Sequence, residues 1–404
     1  MAKKIHDQQN ERKKKLLLLV SIVSNFGLLF YFKYLNFFIE NANLVLLPIF
    51  NKEIGLSKEI LPIGLSFHTF QSVSYIVDVY KRKIKPETHL GIYSTYVLFF
   101  PQMVAGPIER FSTLGAELKK TAKFSGHLLV KGLPLILTGF FYKMVIADNC
   151  GEYVNHTYTN IDSQNSYNVL IAVFLFSIQI YSDFFGYSLI AQGSARLFGI
   201  QLIDNFAFPF FSENIVSFWR KWHMSLTNWF RDYVYIPLGG NKKSHLRHYI
   251  NILIVFALSG LWHGAGFNFI VWGLLHAVAY LAVTLFFIKH PIKIPVALKY
   301  LFTFALVSFI FVFFRNGKLS DSTIILSKIV SGNTHLLFKP ISVFLLMNIG
   351  FVFVLELFAR KYGNYTSFLE NKNEFKKVLL YCYLFFGILT FSGIDNLPFI
   401  YFQF

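Results

Sequence analysis

Apolar runs of roughly 20 residues recur along the chain, separated by short polar and basic segments. Each run is about long enough to cross a ~30 Å hydrocarbon core as a helix. Membrane strands would instead show ~10-residue alternation. The first run, Leu16 to about Ile39, follows a basic leader at residues 1–15. Its length and the lack of a small-residue cleavage site mark an uncleaved helix, with the basic end expected in the cytoplasm. Lys33 is expected to snorkel towards a membrane surface. Further spans are predicted at Ile60–Tyr80, His127–Ala147, Tyr167–Tyr187, Tyr249–Trp262 and Phe267–Ile288, then near 299–314, 341–358 and 377–392. The pattern predicts an all-α polytopic membrane protein with about nine crossings.

Three stretches break it. Gly91–Gly106 is short and interrupted by Pro101 and Gly106, so a re-entrant or interfacial segment is expected. Ser188–Phe211, rich in Gly, Pro and Phe, reads as interfacial. In the third, Phe218, Trp222, Leu226, Trp229 and Tyr233 recur at four, four, three and four, the apolar stripe of one amphipathic helix. Arg220, His223, Thr227 and Arg231 form a polar stripe beside it, and Pro237, Gly239 and Gly240 end the helix. Such a helix suits the plane of a membrane surface.

Composition removes the soluble alternatives: 54% of residues are hydrophobic and only 15% charged, which leaves no soluble domain and one domain over 1–404. The net charge of +17 lies mostly between spans, where it orients the chain on an anionic bilayer and does not indicate nucleic acid. The segment Asn149–Ser166 lacks Lys and Arg and is expected outside, while Arg110, Lys119, Lys120, Lys123, Lys289, Lys293, Arg360 and Lys361 are expected inside. Arg315, Lys318, Lys328 and Lys339 fall outside on this count, against the trend. Cys150 and Cys382 have no metal-ligand spacing. His245 and His248 do, but the surrounding cations repel a divalent metal, so a solvated loop is expected and no metal.

The candidate chemistry lies in polar residues at membrane depth, which by default mark functional sites. His223 and His263 are the foremost, because histidine takes and returns protons near neutrality. His68, Gln71 and Asp78 share a face of the second span and read as a bundle-facing stripe. Gln179 and Asp183 are four apart near the expected inner end of the fourth span; Asp183 reads equally as a helix anchor or as part of a network with the basic segment downstream. Trp272 and His276 share a face of the sixth span, and Gly260 and Gly264 permit close helix approach.

The segments FPQMVAGPIERF (Phe100–Phe111), QIYSDFFGYS (Gln179–Ser188), FWRKWHMSLTNWFRDYVYIPLGG (Phe218–Gly240), GLWHGAGFNFIVWG (Gly260–Gly273) and the PFIYFQF tail together resemble the membrane-bound O-acyltransferase family, in particular its bacterial alginate O-acetyltransferase branch. The resemblance covers nearly the whole chain. It implies a helical bundle around a central tunnel, with His263 as the catalytic histidine and His223 as a second polar position. It also implies further hydrophobic segments ahead of the basic KKK-LLLL span, whereas this sequence starts at MAKK.

Acyl transfer from a thioester to a hydroxyl needs a base, for which His263 is the candidate. The oxyanion needs donors, from His223 or a nearby indole or backbone N–H. Trp222, Trp262, Gln179, Asp183 and Asn268 are expected to support them. Arg220, Lys221 and Arg231, with Lys242 and Lys243 beside them, are candidates for the phosphates of acetyl-coenzyme A or another acyl thioester, a donor substrate with no permanently bound cofactor. The expected setting is the bacterial cytoplasmic membrane, and the acceptor an exported polysaccharide or an extracellular or periplasmic partner acyltransferase. A transporter of acyl groups or small anions, or a scaffold for polysaccharide export, are the alternatives.

Overall fold

A computed structural model describes residues 1–103, 106–120, 125–287, 293–332, 338–371, 373–392 and 398–400. Lys123, Lys289 and most of the aromatic tail lie outside the described residues. Among the described residues the regular structure is all helical. Six helices are long and apolar enough to cross a membrane: α1 (Glu11–Phe50), α4 (Gly126–Thr159), α5 (Ser166–Leu197), α9 (Phe267–Phe286), α10 (Val296–Arg315) and α11 (Val343–Tyr362). The other three expected spans are shorter or less apolar helices, α2 (Leu65–Tyr80), α8 (His245–His263) and α12 (Glu374–Phe391). The short α3 (Leu90–Leu98) ends at an extended Phe99 before a single turn at Phe100–Met103, as its prolines and glycines predict.

The bundle is built around α5. In its most apolar window 78% of residues are buried, against 11% for α1 at the periphery. Gly132 and Gly139 of α4 face Gly193 and Gly186 of α5, so that a Cβ on Gly186 would lie 2.7 Å from the Gly139 carbonyl oxygen. Two glycines seven apart on each helix bring antiparallel backbones together where side chains would hold them apart. On the other side α5 meets α10, where Ser177 donates to Ser308 at 2.8 Å.

Several boundaries differ from the sequence expectation. Helix α4 continues to Thr159, and α5 runs ten residues past Tyr187 to Leu197, which moves Asp183 from the expected inner end to the middle of the helix. The segment 245–248, expected as a solvated loop, is the first turn of α8, begun by the Ser244 side chain accepting from the Arg247 N–H. The largest departure is the aromatic segment. Instead of one amphipathic helix it forms α6 (Ile215–Trp219), a turn at 220–223 and α7 (Met224–Phe230). The helix breaks because 205–207 compete for its backbone: Ala207 N–H donates to Lys221 O and Met224 N–H to Asn205 O. The expected apolar stripe is not a surface belt, since Phe218, Trp222, Leu226 and Trp229 are buried and only Tyr233 is half-buried.

The positive residues assigned outside share one end of the bundle with the segment Asn149–Ser166, which lacks Lys and Arg. Arg315 donates to Asn155 and Lys328 to the Asp162 carbonyl. The other end gathers Lys221, Lys299, Arg360 and Glu213.

Candidate active site

His263 is the last residue of α8. The chain then leaves the helix through extended Gly264 and Gly266, the second of which caps α9. A side chain at Gly260 would overlap the Phe269 carbonyl, so this glycine lets α9 return directly against α8. The two helices and α10 enclose the imidazole, whose ring lies 4.9 Å from Trp262, 5.2 Å from Trp272 and 5.2 Å from Phe314. His263 is 5% exposed, so it sits in an apolar, aromatic setting reached by little solvent.

His223 lies near the same indole, its ring 6.2 Å from Trp262. It is 1% exposed and adopts φ 40°, a left-handed conformation that strains a non-glycine residue. The turn at 220–223 therefore lifts His223 out of the expected stripe: Arg220 and Arg231 are exposed while His223 points inward. Asn205 holds it, with Oδ1 3.3 Å from His223 Nδ1, 2.6 Å from Ser225 Oγ, and its amide on Ser188 Oγ. Phe184 of α5 meets the imidazole edge-on at 4.6 Å. The Nε2 atom of His223 is buried with no hydrogen-bond partner among the described residues.

Lys33 contacts the end of α8, which the sequence reading missed. It does not snorkel: its ammonium donates to the carbonyls of Trp262 at 2.7 Å and His263 at 3.0 Å. It satisfies the last carbonyls of α8, where the helix dipole favours a cation. The Tyr34 hydroxyl takes the Leu261 carbonyl beside it. The available signal was a lone lysine deep in an apolar run. Asn205 and Glu109 were missed as well. Glu109 is 1% exposed and accepts from Ile203 N–H and Thr113 Oγ1, fixing the segment that carries Asn205 to the GPIER loop.

The supporting residues divide. Trp262 touches both histidines. Trp222 is buried against Phe218 and Phe311, and Asn268 ties the start of α9 to the Phe313 and Asn316 carbonyls at the end of α10. Asp183 is bound to Lys143 at 3.0 Å and accepts the Ile400 N–H at 2.7 Å, so its partners are α4 and the C-terminal segment and not the downstream basic segment. Gln179 is buried one turn before it. In the second span Gln71 and Asp78 are buried and His68 half-buried, and Asp78 accepts from the Tyr233 hydroxyl, as a bundle-facing stripe requires.

The candidate phosphate-binding cations do not converge. Arg231 lines a cavity of about 250 Å³ with Trp219, Phe230, His248, Phe256 and Tyr280, between α7, α8 and α9. Lys221 lies in a separate pocket with Arg360, Tyr300, Ser217 and Glu213. Burial lowers the Lys221 pKa, Arg360 lowers it further and Glu213 opposes both. Arg220 is exposed, as are Lys242 and Lys243.

Six helices of membrane length, with two imidazoles buried against one indole between them, define a polytopic helical membrane protein. Residues 80–316 match the membrane-bound O-acyltransferase family, and the chain belongs to that family. Similar proteins include a peptidoglycan O-acetyltransferase of Helicobacter pylori, 34% identical over 82% of this chain and 68% of its own length. A probable alginate O-acetylase of Pseudomonas aeruginosa is 35% identical over 75% of the chain and 58% of its own length. A teichoic acid D-alanyltransferase of Bacillus subtilis is 33% identical over 54% of the chain. The chain thus spans between half and two-thirds of the length of most of these relatives.

Proposed function

We propose that this protein transfers an acyl group, acetyl by its likeness to O-acetyltransferases, from a thioester on the cytoplasmic side to a hydroxyl acceptor. The acceptor is an exported polysaccharide or other envelope polymer, reached directly or through an extracellular or periplasmic partner acyltransferase. The setting is the bacterial cytoplasmic membrane, and acetyl-coenzyme A or another acyl thioester is the donor substrate.

His263 is the base. A neutral imidazole in an apolar enclosure accepts the hydroxyl proton as the oxygen attacks the thioester carbonyl. The Trp262 indole N–H donates to the oxyanion, because the Nδ1–H of His223 is given to Asn205 Oδ1 and leaves its Nε2 an acceptor. The C–S bond then breaks, and the leaving thiolate takes the proton back from the imidazolium, so no net proton is gained or lost. Thiols ionise near pH 8.5 and leave without a strong acid. The arrangement of both imidazoles about the one buried indole of Trp262 carries this reading.

The test is transfer of radiolabelled acetyl from acetyl-coenzyme A in membranes holding equal amounts of wild type or His263→Ala. Label reaching glycan or protein only with wild type supports the reading. Equal labelling in both removes His263 as the base.

A further inference from the structure

Helices α4 and α12 are joined at one end of the bundle and parted at the other. Gly387 of α12 lies against Phe141, where a Cβ would stand 2.7 Å from the ring, and Asn149 donates to the Phe391 carbonyl at 2.8 Å. Towards their first turns the same two helices leave a cavity of about 980 Å³ between them, floored by Thr366 and Leu369 of the helix Tyr365–Glu370. That volume is at the upper end for small-molecule sites, about 300–1,000 Å³. The walls are apolar, and Val130 and Leu133 of α4 and Phe385 of α12 are each more than half exposed, so the cavity opens sideways on the surface that hydrocarbon covers.

Its mouth is charged. Lys131 of α4 and Lys377 of α12 lie there with Glu370 and Glu374, two charges of each sign. Lys131 stands 3.9 Å from Glu370, beyond hydrogen-bond reach, and Glu370 is shared with Arg196 at 3.5 Å. Lys377 donates to Glu374 at 2.8 Å, yet its side chain is 18% exposed against 85% for the glutamate, so the cation is drawn against the cavity wall while the carboxylate stays in the open.

These features select an occupant. Water finds no polar partners along an apolar wall, whereas basic pockets between spans at the membrane surface hold lipid headgroups. A phosphate diester fits between lysines on opposite walls as a charge-assisted acceptor. A headgroup with no cation would set that phosphate beside the Glu374 carboxylate, a repulsive pairing. A headgroup that also carries an ammonium satisfies the carboxylate, and a primary ammonium brings N–H donors to it.

We propose that the cavity between α4 and α12 binds one molecule of phosphatidylethanolamine. Its phosphate lies between Lys131 and Lys377, its ammonium at Glu374, and an acyl chain along Val130, Leu133 and Phe385. The lipid completes the wall behind the Tyr365–Glu370 helix, whose Tyr365 hydroxyl meets that of Tyr142 on α4. The site shares no residue with the proposed reaction site, so it stands or falls independently of the acyltransferase reading.

The test strips the purified full chain of lipid in detergent and titrates it with dioleoyl phosphatidylethanolamine, phosphatidylglycerol or phosphatidylcholine. Native mass spectrometry counts bound lipid, and the thermal transition reports stability. Phosphatidylethanolamine is retained at one per chain, about tenfold more tightly than the other two, the worth of one charge-assisted hydrogen bond, and it raises the transition. Lys131→Ala weakens its binding about tenfold. Glu374→Gln abolishes the preference over phosphatidylglycerol. Both side chains are solvent-accessible, so neither substitution disturbs the core. Three lipids bound alike, or Lys131→Ala binding as wild type does, overturn the proposal. Phosphatidylglycerol held most tightly by wild type overturns the zwitterionic headgroup. A photo-cross-linker at position 133 in membranes gives lipid adducts; a protein adduct there, from a second copy or another span, overturns lipid as the occupant.

Discussion

Two buried polar regions of the bundle contrast. Around Glu356 on α11, one carboxylate oxygen accepts from the hydroxyls of Tyr142 at 2.8 Å and Tyr181 at 2.9 Å, and Tyr142 meets Tyr365 at 2.6 Å. The cluster joins α4, α5, α11 and the helix at Tyr365–Glu370. Along α8 and α9, by contrast, His276, Trp219, Trp262, Trp272 and Nε2 of His223 have ring nitrogens with no partner among the described residues. Both regions are equally buried. The first is closed, as a scaffold must be to justify a buried carboxyl; the second is open, as a site must be to receive a substrate.

Substitutions separate the two. His263→Ala should have the largest effect, lowering transfer about a hundredfold to ten-thousandfold, the range for loss of a general base, with little change in thermal stability. An unfolded variant, or one retaining most activity, would break the assignment of the open region as the site. Glu356→Ala should do the reverse. It strands two buried tyrosine hydroxyls and should lower stability by about 3 kcal/mol, seen as an earlier thermal transition in detergent, while the folded fraction keeps its kcat. A kcat collapse without a stability change would place Glu356 in the site.

Smaller effects sharpen the border between them. Asn205→Ala frees His223 and Ser225 and should lower kcat about threefold to tenfold, with KM for the donor nearly unchanged. A change confined to KM would instead make Asn205 part of the donor path. Lys33→Met removes the two bonds that close the end of α8 and should cost about 1 kcal/mol, a shift of a few degrees in the melting temperature. An unchanged transition would mean that solvent satisfies these carbonyls equally well in the variant.

The sequence by itself determined the helical class and the approximate place of nine long helices, six of them of membrane length, and it singled out two histidines as candidates, because apolar runs and the ionisable residues among them are local properties of the chain. The glycines at 132, 139, 186 and 193 were present in it, but their spacing becomes a packing device only when α4 and α5 are antiparallel neighbours. The tertiary structure decided the rest. Periodicity around Phe218 favoured a continuous helix, yet backbone hydrogen bonds from 205–207 broke it and turned His223 inward, a competition that the helical period of the segment itself does not contain. Lys33 and Lys143 both lie within apolar runs, but one caps α8 and the other pairs with Asp148 and Asp183. Which polar groups are satisfied depends on partners more than a hundred residues away, as Ile108 N–H on Ser225 and Tyr142 on Glu356 illustrate. That information resides in the packing of the bundle, because hydrogen bonds are made between neighbours in space and a sequence lists only neighbours in order.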